Sequence, residues 1–229
     1  MADLFEDILK VFDALGLWED GVELIGSWSF LLYQRHLGVR LIPLRTLDID
    51  FLLPRPYPRK ASVDLQAALA PLGFRIDFKA SGETCFAHPD LKIEFLTPER
   101  GKGENQPRLI KSLGIKATQL RFLDLLFQNP IVIEEKGIRV RVPSPISFSL
   151  QKLIVAQRRK KKEKREKDIE QAVAVLSVVD PAEFARMTAK LPKKWRALLS
   201  KSLLQAWDTL PLERPVLDKI KSVFTPQKP

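Results

Sequence analysis

Two aspartates on one predicted strand are the residues of this sequence best suited to hold a metal ion. Asp48 and Asp50 flank Ile49. Because strand side chains alternate between faces, both carboxylates point one way, while Leu47, Ile49 and Phe51 point toward a core. Carboxylate oxygens suit Mg²⁺, which takes one or two of them and leaves its other positions to water and substrate phosphate. Aspartate is disfavoured in strands, so the pair predicts a metal site, and the alternative is a strand with a solvated outer face.

Two further features favour the metal site. Residues 22–25 form a predicted strand that leads into Gly26 and Ser27, with Ser27 expected at the N-cap of a helix. Glycine lets a phosphate approach the backbone, and the free N–H groups of a helix start bind it. Residues 91–96 alternate in the same manner as the aspartate strand, so Glu94 faces away from the core. The candidate catalytic and metal-binding residues are therefore Asp48, Asp50 and Glu94.

These motifs resemble those of the nucleotidyltransferase superfamily (polymerase-beta-like), whose signature is a Gly-Ser turn, a helix, a D-x-D strand and a later acidic strand. Residues 26–28 and 45–52 are similar to a bacterial group of uncharacterised nucleotidyltransferases related to abortive-infection toxins. The similarity continues in 142–145, 152–153, 158–159 and 164–169, and it covers about residues 20–180. It implies transfer of a nucleoside monophosphate from an NTP to a hydroxyl of an unidentified acceptor, RNA or protein, with release of pyrophosphate.

The resemblance also implies roles for individual residues. Two Mg²⁺ ions, or Mn²⁺, would be held by Asp48, Asp50 and Glu94, and the nucleotide phosphates by Gly26, Ser27 and Lys152. The alternative for Lys152 is an exposed residue beside an apolar helix stripe. Twenty residues separate Ser27 from Asp48, more than in most superfamily members, and Gly38 and Pro43 favour a loop after the helix.

A run of basic residues at 158–167 is the main concentration of the net charge of +10. Such a run is either a solvated helix face or a contact for a polyanion such as tRNA or another RNA. Because the run contains no aromatic side chain for base stacking, the predicted contact is with phosphates. The basic residues are Arg158, Arg159, Lys160, Lys161, Lys162, Lys164, Arg165 and Lys167.

Composition excludes several other classes of protein. With 229 residues, 45% of them hydrophobic, the chain can bury a substantial core. One cysteine, Cys85, and two histidines exclude a disulfide framework and a typical zinc site, and Cys85 is predicted to be buried and unreactive. Since no apolar run approaches the roughly twenty residues of a membrane span, we expect a cytoplasmic protein without a membrane partner. The sequence does not predict the oligomeric state.

The predicted fold class is α+β, with a mixed-sheet nucleotidyltransferase fold in residues 1–143 and a helical domain in 144–229. A helix at 3–15 opens the chain, because its apolar residues recur at intervals of three and four. A hairpin is predicted at 131–142. The loop at 97–107 leaves the strand that carries Glu94, and we expect it to overhang the same sheet edge.

Two other functions remain open at this stage. One is a catalytically degenerate module that keeps the fold and binds nucleic acid or a partner through its basic surface. The other is a small-molecule enzyme of the antibiotic nucleotidyltransferase type, because fold resemblance does not determine the acceptor.

Overall fold

The structure is a computed structural model that describes residues 2–43, 46–100 and 106–224. Contacts divide the chain into two compact units. The first unit comprises residues 1–32 and 43–143, and the second unit comprises residues 33–42 and 144–229.

The described helices and strands confirm the predicted α+β class. The helices are α1 (Ala2–Ala14), α2 (Gly26–His36), α3 (Leu65–Leu69), α4 (Pro145–Ala156), α5 (Lys162–Leu176), α6 (Pro181–Ala189), α7 (Lys193–Thr209) and α8 (Arg214–Val223). The strands are β1 (Glu23–Ile25), β2 (Asp48–Leu52), β3 (Arg75–Phe78), β4 (Thr84–Ala87), β5 (Lys92–Pro98), β6 (Arg108–Ile110), β7 (Ile115–Leu120), β8 (Ile131–Glu135) and β9 (Ile138–Val142).

The main sheet of the first unit is mixed, as predicted. Its strands lie in the order β1-β2-β5-β4-β3, and β7 pairs with β5 beyond the end of β4. Strand β2 runs parallel to β5, and β5 runs parallel to β7, whereas β1, β3, β4 and β6 make antiparallel pairings. Strands β8 and β9 form the predicted hairpin. Strands β6 and β7 had no counterpart in the sequence analysis.

One face of the sheet is covered by α1, whose apolar residues the sequence had predicted. Phe12 of α1 stacks on Phe51 of β2 with ring centroids 4.0 Å apart, and it lies 6.2 Å from the ring of Phe95 on β5. Phe86 of β4 packs edge-on against Phe95. Gly16, with a φ of +66°, ends the helical turn that follows α1. This packing fixes which face of β2 and β5 carries the polar side chains.

The alternation predicted for the aspartate strand is confirmed within β2 and fails just before it. Ile49 and Phe51 are fully buried, Asp48 is exposed and Asp50 is partly buried. Leu47, predicted to face the core, is 56% exposed. It precedes β2 and therefore lies outside the part of the chain to which strand alternation applies.

An apolar cluster bounds the aspartate face at one end. Leu52 and Leu96 lie two residues beyond Asp50 and Glu94 on their strands, so they share the face of those carboxylates. They are buried with Ile25, Leu123 and Leu126, and Phe127 packs against the cluster. The polar part of the face is consequently restricted to the first half of β2 and β5.

The second unit is helical from Pro145 onward, as predicted. The polar side chain of Ser144 caps α4 by accepting a hydrogen bond from Ser147 N at 3.3 Å. Residues 37–43 after α2 form no helix or strand, in agreement with the predicted loop, and its continuation at 44–45 lies outside the described residues. Within the described part of the chain, no helix combines the length and apolar character needed to cross a membrane.

Candidate active site

The parallel pairing of β2 and β5 places the predicted acidic residues on one face of the sheet. Asp50 lies directly opposite Glu94, and Asp48 lies directly opposite Lys92. Side chains of register partners point to the same face, and neighbouring strands lie about 4.8 Å apart. The sheet therefore brings Asp50 and Glu94 side by side, with Asp48 one position along the same face.

The glycine turn adjoins Asp50. Ile25, the last residue of β1, lies opposite Asp50, and Gly26 follows with a φ of +71°. A Cβ added to Gly26 would lie 2.7 Å from Asp50 Oδ2, closer than real Cβ atoms approach a neighbour. Only glycine fits both the backbone angle and the space, so the turn and the carboxylate are matched to each other.

Ser27 does not occupy the N-cap position that the sequence predicted. Helix α2 begins at Gly26, so Ser27 lies in its first turn and is partly buried. No residue separates β1 from α2, and the positive φ of Gly26 makes the reversal. Ser29 Oγ donates a hydrogen bond to Gly26 O at 3.0 Å. The start of α2 therefore follows directly on the strand that adjoins Asp50, and the free N–H groups of a helix start are able to bind an anion.

Two lysines bind the carboxylate of Glu94. Lys79 Nζ lies 2.5 Å from Glu94 Oε2, and Lys92 Nζ lies 2.7 Å from Glu94 Oε1. The Glu94 side chain is only 15% exposed. Burial raises the pKa of Glu94, but the hydrogen bonds from Lys79 and Lys92 outweigh it and hold that pKa below its usual value. The hydrogen bond to Glu94 in turn raises the pKa of Lys92.

The fit to a metal ion differs between the carboxylates. Asp48 and Asp50 lie on one strand face beside the glycine turn, which suits a hard cation that also binds phosphate. Glu94 has an ammonium group on each oxygen. Within residues 2–43, 46–100 and 106–224, no three His, Cys, Asp or Glu side chains are grouped so as to hold an ion. The aspartate pair therefore fits one divalent ion, and Glu94 has to exchange its lysines before it can join.

Lys152 belongs to the second unit and is buried, so it is not the exposed residue of the alternative interpretation. Its Nζ lies 2.7 Å from Asp168 Oδ1 and 5.2 Å from the ring centroid of Phe148. Arg159 Nε lies 2.7 Å from Asp168 Oδ2. Burial raises the pKa of Asp168, but the charges of Lys152 and Arg159 lower it by more, so the net shift is downward. Asp168 thus joins a lysine of α4 to an arginine that precedes α5.

The basic run forms the connection from α4 to α5 and the first turns of α5. Arg158 through Lys162 and Lys164 are exposed, whereas Arg165 and Lys167 are partly buried. Lys162 Nζ lies 3.7 Å from Glu166 Oε1. The run is part of a wider asymmetry, because the second unit contains 21 Lys and Arg against 9 Asp and Glu, while the first unit contains 17 against 19.

Sequence reasoning missed several charged residues. The sequence could have placed Lys92 beside Glu94, because Lys92 lies two residues before Glu94 and strand alternation puts both side chains on one face. The sequence could not have placed Lys79 there, because Lys79 follows β3 and reaches Glu94 on β5 from a distant part of the sheet. Glu23 and Arg141 were also missed, and they form an ion pair of 3.4 Å between β1 and β9. Full burial raises the pKa of Glu23 to about 8, although Arg141 acts to lower it.

Cys85 is buried and has no disulfide partner, as predicted. It lies opposite Glu94 on β4, and burial is the main cause that raises the pKa of its thiol. A raised pKa keeps the thiol protonated, which argues against a nucleophilic role. The predicted overhanging loop is described at 97–100 and 106–107, and its central residues 101–105 lie outside the described residues.

Comparisons with known proteins give similarities of family and of fold. A family model described as nucleotidyltransferase matches residues 4–195. The fold is similar to that of an antigenic nucleotidyltransferase-like protein from Paracoccidioides brasiliensis, with a TM-score of 0.53, 15% identity and coverage of 96% of this chain and 97% of that chain. The antibiotic-resistance factor ANT(2'')-Ia also matches, with a TM-score of 0.43, 15% identity and coverage of 93% and 96%. The comparison with curated proteins finds no match.

Proposed function

The chain belongs to the nucleotidyltransferase family and is an enzyme of nucleoside monophosphate transfer from an NTP, and we propose that Asp48 and Asp50 bind the divalent metal ion for this reaction. Enzymes of this family generally use divalent metals, and we assign Mg²⁺ here because the donors are hard carboxylate oxygens. The observation that carries the proposal is the close approach of Gly26 to the Asp50 carboxylate, which brings the glycine turn at the helix start next to a proposed metal ligand.

The proposed reaction is an in-line displacement at the α-phosphorus that needs no side-chain nucleophile. Bound metal ions would offset the charge that develops on pyrophosphate and favour deprotonation of the acceptor hydroxyl. Gly26 and the backbone and hydroxyl of Ser27 hold the outer phosphates at the start of α2. Asp48 and Asp50 fix the position of the reacting phosphate, with Glu94 as the third carboxylate. Positioning and electrostatic stabilisation supply the catalysis.

We propose a polyanion, RNA, as the acceptor, with the basic residues of the second unit as its contact. The charge division between the units supports this proposal, because the excess of cations lies outside the unit that carries the aspartates. Exposed lysines at 160–162 would contact backbone phosphates and release counterions. Lys152 is the proposed nucleotide contact of the second unit, held in place by Asp168.

The test is transfer of label from α-labelled NTP, in Mg²⁺ or Mn²⁺, to RNA, protein and small-molecule fractions of an extract. We expect label in the RNA fraction, and we expect Asp48→Asn and Asp50→Asn to abolish transfer while the melting temperature is kept. Asp13→Asn, an exposed position on α1, is the matched control and should remain active. Full activity in both Asp48→Asn and Asp50→Asn would exclude the metal assignment, and label in the small-molecule fraction alone would exclude the RNA acceptor.

A further inference from the structure

We propose that Lys79 and Lys92 neutralise Glu94 in the free enzyme and bind the substrate phosphates once a divalent ion takes over that carboxylate. This proposal rests on the proposed function, because it requires a metal ion at Asp48 and Asp50. It assigns phosphate-binding roles to two lysines that the family resemblance did not indicate.

The first step of the argument is that Glu94 needs a cation at all times. Only 15% of its side chain is exposed, and it lies opposite Asp50 on the neighbouring strand. A buried charge without a partner is costly. Lys79 and Lys92 meet that need in the free enzyme, one on each oxygen.

The second step is that these lysines are able to leave. Their side chains are 29% and 33% exposed, so the ammonium groups have a path to solvent. A lysine is a point charge on a flexible stem, unlike the bidentate fork of an arginine, and it changes partner without a backbone movement. The Lys79 backbone belongs to the β3–β4 turn, where its N donates to Glu83 O at 2.9 Å, so a change of partner by the side chain need not move the backbone.

The third step is that the lysines lie where phosphates would be. Lys92 is the register partner of Asp48, so its side chain shares the sheet face of the proposed metal ligand. An NTP held by an ion at Asp48 and Asp50 brings several phosphate charges to this face. Ammonium groups displaced from Glu94 by a dication would then find new anionic partners within the length of a lysine side chain, and no charge would be left buried and unpaired.

The experiment separates metal binding from phosphate binding. Mn²⁺ binding without nucleotide is measured by electron paramagnetic resonance, and ATP binding is measured by calorimetry both in EDTA and in saturating Mn²⁺. In the Lys79→Ala/Lys92→Ala variant we expect Mn²⁺ to bind about tenfold more tightly, because the competing ammonium groups are gone, and ATP in saturating Mn²⁺ to bind about tenfold more weakly, because the phosphates lose two cations. Lys111→Ala/Lys116→Ala, two exposed positions of the same unit, should change neither value.

Glu94→Gln provides the second variant. It should weaken Mn²⁺ binding and strengthen metal-free ATP binding, because the lysines lose their partner. A purely structural ion pair predicts instead that both variants lower the melting temperature and leave metal and ATP affinities unchanged, and that result would overturn the proposal. Loss of Mn²⁺ binding in Asp48→Asn tests the proposed function separately, since its outcome does not depend on the lysines. If the double alanine variant does not fold, Lys79→Gln/Lys92→Gln removes the charges, keeps most of the side-chain length and gives the same readouts.

Discussion

Replacement of Gly26 by alanine tests the coupling between the glycine turn and Asp50, the proposed metal ligand. The alanine meets two penalties. Its φ would be +71°, a left-handed value that costs an L-residue about 1–2 kcal/mol. Its Cβ would also lie 2.7 Å from Asp50 Oδ2, so the carboxylate has to rotate away. The first penalty affects stability alone, whereas the second displaces a proposed ligand.

Gly137→Ala is the matched control, because it meets only the first penalty. Gly137 has a φ of +83° in the β8–β9 turn, and an added Cβ would meet no atom within 4 Å. Both variants should lose about 1–2 kcal/mol in urea unfolding from the backbone angle, and Gly26→Ala should lose more because its Cβ also displaces the Asp50 carboxylate. Only Gly26→Ala should also lose Mn²⁺ affinity, by about tenfold or more, since displacement of one of two carboxylate ligands removes a charge-assisted contact.

A double-mutant cycle identifies the atom responsible. In an Asp50→Ala background the added Cβ no longer meets a carboxylate, so the extra stability loss of Gly26→Ala over Gly137→Ala should shrink. Metal binding by Gly26→Ala equal to that of Gly137→Ala, with no coupling to position 50, would refute the reasoning. The turn would then be a backbone feature unrelated to the carboxylate.

Three further predictions concern buried charges and the basic run. The pKa of Glu23 is about 8 in the folded protein and 4.5 in the unfolded chain, so the free energy of unfolding falls as pH rises from 4.5 to 8. Glu23→Gln should therefore flatten the dependence of the melting temperature on pH between about 5 and 8. Asp168→Asn leaves Lys152 buried without its anion and should lower the free energy of unfolding by about 3–5 kcal/mol at pH 7. Acidification below the lowered pKa of Asp168 should remove the same stabilisation from the wild type. Lys160→Gln/Lys161→Gln should weaken RNA binding in a filter assay and reduce its salt slope by about two, and Lys219→Gln, exposed on α8, should do neither.

The face of the sheet that carries the carboxylates could be predicted from local patterns. Strand alternation places Asp48 and Asp50 together wherever β2 lies, and it does the same for Glu94 on β5. The positive φ of Gly26 follows from its place at a strand-to-helix turn. These features depend on a few neighbouring residues, which is why one sequence was enough to find them.

The partners of those carboxylates could not be predicted, because they come from distant parts of the chain. Lys79 reaches Glu94 from beyond β3, and Arg141 reaches Glu23 from β9. Such contacts depend on the order in which the strands pair, and the spacing of apolar residues along the chain does not predict that order. Leu47 shows the same limit at short range, since its exposure depends on where pairing with β5 begins.

The charges of the first unit give a physical reason for lysines to lie so close to the proposed metal site. This unit has slightly more acidic than basic residues, and Asp48, Asp50 and Glu94 share one sheet face. A cluster of carboxylates favours metal binding and opposes folding for the same reason, because in the absence of a cation the charges repel. Lysines at Glu94 remove that conflict in the free enzyme, while Asp48 stays exposed for the incoming ion. The arrangement predicts that a divalent ion should stabilise Lys79→Ala/Lys92→Ala against heat more than it stabilises the wild type, because in the variant the ion alone screens the third carboxylate.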